Sequence, residues 1–160
     1  MLASLRELFE KAAGTTPDAD DEEHAVAVAA AVLMLEVARS DDGVSAEERA
    51  ATAAAVRTKF GLDAAEAERV IAIAEEEARE ATGLYPFTSL INRELSAAQK
   101  ERLLELVWRV AYADAELDAH ELHLVRKIAN LLHVPHATYV GTKLRARDAQ
   151  AKPAGGKGRR

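Results

Sequence analysis

The chain has no cysteine. That single absence excludes disulfides, thiolate metal sites, cysteine nucleophiles and thiol redox chemistry. Aromatic residues make up only 4% of the 160 residues, and β-branched residues are sparse outside a few valines. No stretch shows the alternation of a half-buried strand bounded by turn signals. Long apolar runs are missing too. The longest, AVAVAAAVLML at 25–35, is too short to cross a bilayer and reads as a buried core helix. The opening MLASLRELFEK carries charges and lacks the apolar centre of a secretory signal. The expected address is the cytoplasm, with no direct membrane insertion.

What is present favours helices. Hydrophobic residues make up 49%, much of it alanine, and alanine, leucine, glutamate and arginine are strong helix formers. The expected class is all-α, in one domain long enough to bury a single core. Net charge is −6, unevenly spread. From Lys143 onward seven basic residues and one acid sum to +6, which leaves −12 for residues 1–142. Such a body repels nucleic acid and small anions and attracts cations. The tail AQAKPAGGKGRR has the composition of a disordered end. The organisation read from this is a short helix and linker at 1–19, a helical domain at 20–147 and a disordered basic tail at 148–160.

Helices are expected at 2–12, 20–39, 46–59, 64–81, 97–112, 119–132 and 137–147, with GLYPFTSLIN a loop holding at most a helical turn at 87–92. Four of the starts carry the capping-box pattern, a short polar residue with Glu or Gln three positions on: Ser45 with Glu48, Asp63 with Glu66, Ser96 with Gln99, and Asp118 with Glu121. The second helix, apolar on nearly all sides, is expected at the centre. Trp108 and Tyr112 lie one turn apart and are expected in the core, while an exposed Tyr85 and Phe87 would instead make a partner patch.

One acidic turn occurs twice. ARSDDGVSAEER at 38–49 returns as AYADAELDAHEL at 111–122, so Asp41 corresponds to Asp114, Val44 to Leu117, Ser45 to Asp118 and Glu48 to Glu121. The repeat places two similar αα-hairpins in one bundle. Capping explains Ser45, Asp118 and the two glutamates, each cap contributing about 1 kcal/mol. It does not explain Asp41 and Asp114, which stand at helix C-termini where the dipole opposes a carboxylate by roughly 0.3–1 kcal/mol. Either the free N–H groups of the next helix offset this, or a divalent cation does. The cation would take oxygens from Asp41, Asp42 and Glu48, or from Asp114, Glu116, Asp118 and Glu121. An EF-hand is excluded, because its glycine and final glutamate positions fall on Ala119 and Val125, or on Ala46 and Thr52. His120 and His123 share a helix face beside Glu121, a pattern that would suit zinc or nickel, although solvated surface histidines are the simpler reading. No phosphate loop, Ser-His-Asp set or paired acid/base site can be placed, so an enzyme is not expected.

The paired pattern of alanine-rich helix, acidic turn and helix ending near GL resembles the tellurite-resistance TerB family and its wider TerB-like superfamily, over roughly residues 24–147. The second half, LYPFTSLINRELSAAQKERLLELVWRVAYADAELDAHELHLVRKIANLLHV, is the closer match. The family's Asp falls on Asp41 and Asp114 and its Glu on Glu48 and Glu121. The glycine expected after each Asp is replaced by Asp42, with Gly43 following, and by Ala115. The resemblance implies an all-helical bundle of seven or so helices. It also implies a non-enzymatic adaptor for tellurite and general chemical stress, with a membrane-associated partner of the TerC type and a divalent ion (Ca, Mg, Mn or Zn) at the turns. Direct reduction of tellurite would need thiols, which are absent, so any role in resistance is expected to be indirect. The alternative is a metal-free protein-interaction module whose acidic turns are caps alone.

Overall fold

A computed structural model describes residues 19–39, 43–113 and 117–158, with side chains over 23–39, 43–113 and 117–149. The helix expected at 2–12 lies outside the described residues. Within them there are seven α-helices: α1 Ala19–Ala38, α2 Ala46–Phe60, α3 Ala64–Glu80, α4 Tyr85–Glu94, α5 Ala97–Ala111, α6 Ala119–Leu131 and α7 His136–Gly158. No strand forms among the described residues, only a single bridge position at Gly43. The all-α bundle is as the composition leads one to expect.

Helix α1 is the axis of the bundle. Every residue from Ala25 to Leu35 is at most 4% exposed, and α2, α3, α4, α5 and α6 all pack on it. Alanine and valine let neighbours approach on every side, which is why a helix without a polar face suits the centre. The outer helices bury single faces at helical spacing: Val70, Ile71, Ala74 and Ala78 on α3, and Leu103, Leu104, Val107, Trp108 and Ala111 on α5. Hairpin mates touch, but the most extensive packing of α1 is against α3 and that of α5 is against α7.

Four helix starts carry complete capping boxes at Ser45, Asp63, Ser96 and Asp118. Gly61 ends α2 in a left-handed conformation (φ 66°), its N–H bonded to the Arg57 carbonyl. The end of α6 is held from two other helices: Asn92 donates to the Leu131 carbonyl at 2.9 Å and Lys100 to the Leu132 carbonyl at 3.1 Å.

Two expectations are corrected. The segment read as a loop with a turn at 87–92 is the ten-residue helix α4. It has no side-chain cap, and its start is set by Pro86 in the first turn. Burial of Phe87, Leu90 and Ile91 then stabilises it, which only tertiary packing supplies. The last helix, expected to end near 147, runs to Gly158. Its inner face covers Trp108, which is fully buried. The indole ring lies 5.5 Å from Tyr139 and 6.0 Å from Tyr112, with the Lys143 ammonium 5.5 Å over it. Arg145 ties the outer edge of α7 to α5 through Glu105 at 2.7 Å and Glu101 at 2.9 Å.

Candidate functional site

Each acidic turn feeds a helix N-terminus, and its described half is built by a capping box. Ser45 Oγ accepts from the Glu48 N–H at 3.0 Å, and the Ser45 N–H donates to Glu48 Oε1 at 3.2 Å. Asp118 Oδ1 accepts from the Glu121 N–H at 2.8 Å, and the Asp118 N–H donates to Glu121 Oε1 at 3.0 Å. Val44 and Leu117, one residue before each cap, pack against the core and pin the turns inward.

The boxes at the acidic turns differ from the other two in burial. Glu48 is 3% exposed and Glu121 6%. Glu66 and Gln99, in the same position of the other boxes, are only half-buried, and their box hydrogen bonds lie exposed. Taking a carboxylate out of water is costly unless charge and hydrogen bonds compensate. The helix N-terminus returns roughly 0.3–1 kcal/mol, at most about 2. Among the described residues Glu48 forms no ion pair, and its Oε2 accepts no hydrogen bond. Arg49, next in sequence, turns away to α3, where it meets Glu75 at 2.9 Å and Glu68 at 2.6 Å. Those bonds, Glu75 first, raise the Arg49 pKa, while Arg49 holds the Glu68 carboxyl below its usual range.

Of the seven carboxylates read as candidate ligands, Asp41, Asp42, Asp114 and Glu116 lie outside the described residues. The structure brings Asp118 to Glu121 and commits the Asp118 oxygen to the cap. Among the described residues no three His, Asp or Glu gather as a metal-ligand group. Gly43 has φ 90° with open space where a Cβ would stand, so the left-handed backbone, not crowding, calls for glycine there. The glycine of the first turn thus stands one place later than in the Asp-Gly pattern of the resemblance.

The histidine pair is not a ligand set with Glu121. His120 and His123 are exposed while Glu121 faces inward. The aromatic expectation divides: Phe87 is fully buried and Tyr85 is 71% exposed. Sequence reasoning missed a basic groove between the end of α2 and the length of α5, about 600 Å³ in volume, where Lys59, Arg102 and Arg109 converge. Spacing within α5 alone puts Arg102 and Arg109 on one face, but nothing local signals that Lys59 joins them.

The sequence model of the family described as "Tellurite resistance protein TerB" matches residues 27–144. The chain belongs to the TerB family. The match begins inside α1, ends inside α7, and takes in both acidic turns and all four capping boxes. No curated protein and no solved structure matches the chain at a comparable level. Among the described residues no helix of this TerB domain is long and apolar enough to cross a membrane.

Proposed function

We propose that this TerB domain is a non-catalytic adaptor of the tellurite-resistance type, and that a divalent cation held at its acidic turns sets its binding state. The observation that carries the reading is the burial of the Glu48 carboxylate with one oxygen bonded to the Ser45 N–H and no cationic side chain paired with it among the described residues. A capping role alone does not call for that burial, since the Asp63 and Ser96 boxes work half in water. Asp41, Asp42 and Glu48 would hold an ion at the first turn, and Asp114, Glu116, Asp118 and Glu121 at the second. The donors are carboxylate oxygens, which suit Ca²⁺, Mg²⁺ or Mn²⁺ better than Zn²⁺. The bound ion would supply positive charge that neutralises the turns. The partner in this reading is a protein, membrane-associated and of the TerC type, reached by a domain that itself works in the cytoplasm.

A second reading is favoured by the completeness of the boxes: in all four, the chain's own groups close both reciprocal hydrogen bonds. It makes the domain a metal-free interaction module. Titrating Ca²⁺, Mg²⁺, Mn²⁺ and Zn²⁺ against melting temperature separates the two. An ion at about 100 times its dissociation constant adds roughly 2.7 kcal/mol, or about 5–10 °C for a chain of this size. The shift should vanish when Asp41→Asn and Asp114→Asn are combined. No shift with any of the four ions leaves the metal-free module.

A further inference from the structure

We propose that the groove between α2 and α5 is a binding site for a small organic phosphate monoester, gripped by Lys59 and Arg102. The groove is lined by three basic side chains, Lys59, Arg102 and Arg109, and one acid, Glu105. That acid is already shared: its two carboxylate oxygens bind Arg109 at 3.1 Å and Arg145 at 2.7 Å. Lys59 and Arg102 form no ion pair among the described residues, although the folded body is strongly acidic and salt bridges occupy both Arg49 and Arg145. Lys59 and Arg102 line the same polar groove, close enough for the guanidinium to disfavour the ammonium, and an anion bound between them would offset that repulsion. Burial, and then the neighbouring Arg102, hold the Lys59 ammonium below the usual lysine range, with Glu23 opposing. A bound dianion relieves that repulsion.

The chemistry of the walls selects the ligand. An ammonium and a guanidinium fork match the three oxygens of a phosphoryl group. The Thr58 hydroxyl and the Gln99 amide nitrogen add neutral donors. The Gln99 carbonyl is taken by the Ser96 N–H, which leaves its NH₂ to face the groove. Leu106 gives one apolar wall, so an organic group beyond the phosphate gains contact that inorganic phosphate lacks. The volume is in the range of small-molecule clefts. The inference stands apart from the acidic turns and does not depend on a cation there.

The test is a titration of the full chain with phenyl phosphate and with inorganic phosphate, followed by amide chemical shifts and calorimetry. Saturable binding is expected for both, tighter for phenyl phosphate, with shifts centred on residues 58–60 and 99–109. Lys59→Gln and Arg102→Gln should each weaken it at least about tenfold, since hydrogen bonds to charged groups carry that much. Lys59→Arg should restore most of it. Both sites are partly solvent-exposed, so the variants should still unfold in one cooperative transition no lower than that of wild type, and Glu105→Gln should bind more tightly because an opposing charge is removed. Absence of saturable binding overturns the proposal. So does binding that Lys59→Gln and Arg102→Gln leave unchanged, or equal affinity for the two probes, which would mark a diffuse surface charge effect.

Discussion

Glu48→Gln separates a cap from a cation ligand because the protein contains its own control for the substitution. In the Ser96 box the same position is a glutamine, and its side-chain oxygen accepts the cap N–H at 2.8 Å. Gln at 48 therefore keeps the reciprocal hydrogen bond and removes only the charge. At a helix N-terminus that loss costs about 0.3–1 kcal/mol. Against it stands relief of a buried carboxylate, whose effective desolvation penalty is several kcal/mol for a full ion in a protein interior. Glu48 is 3% exposed but hydrogen-bonded through Oε1, so only part of that penalty applies, and in chelator the variant should match or slightly exceed wild-type stability. Glu66→Gln, at a half-exposed box, has no such relief and should lose only the dipole contribution. With saturating divalent ion the order reverses, because wild type gains roughly 2.7 kcal/mol at 100 times the dissociation constant and Glu48→Gln does not. Urea unfolding in chelator and in each ion, read by the fluorescence of Trp108, measures both legs, with equal m-values showing that the same surface unfolds. If Glu48→Gln lowers stability by one constant amount in chelator and in all ions, or behaves as Glu66→Gln does, the carboxylate is a cap and the cation reading fails.

Other perturbations test the frame that holds the turns. Leu33→Ala, at the fully buried centre of α1, should cost about 3–5 kcal/mol in urea unfolding, whereas Leu144→Ala, 41% exposed on α7, should stay within about 0.5 kcal/mol. Gly61→Ala meets no neighbouring atom but must adopt φ 66°, so it should lower stability by about 1–2 kcal/mol. Gly83→Ala, equally open and without a positive φ, should be neutral or slightly stabilising. Lys59 titrates below its ordinary 10.5 in the folded chain, so the unfolded chain holds the extra proton between the lowered value and 10.5. Stability must rise with pH across that window. Lys59→Gln should accordingly be more stable than wild type at neutral pH, with the gap closing as pH approaches 10.5; a gap independent of pH would remove the electrostatic account of that lysine.

The parts of this fold that sequence discloses are those written in consecutive residues. Ser45-x-x-Glu48 and its three counterparts mark helix starts because both hydrogen bonds of a box close within one turn. The run at 25–35 marks the central helix because no face of it is polar. Helix α4 escapes the same reasoning: Leu84 offers no cap, and what stabilises the helix is contact of Phe87, Leu90 and Ile91 with distant helices. Lys59 and Arg102 likewise meet only once α2 is laid on α5. The acidic turns show the limit most sharply. Asp63-x-x-Glu66 and Asp118-x-x-Glu121 are the same string with the same bond lengths to within 0.1 Å, yet Glu121 is buried and Glu66 is not. The string supplies the cap, and the fold supplies the burial by seating Leu117 against the core ahead of it. Burial recurs at Glu48 behind Val44, in the other turn of the repeated motif, and at neither of the boxes outside it. Burial of the box glutamate thus follows the repeated motif and not the cap, which is why the cation reading is tested at Glu48 and Glu121 and not at Glu66 or Gln99.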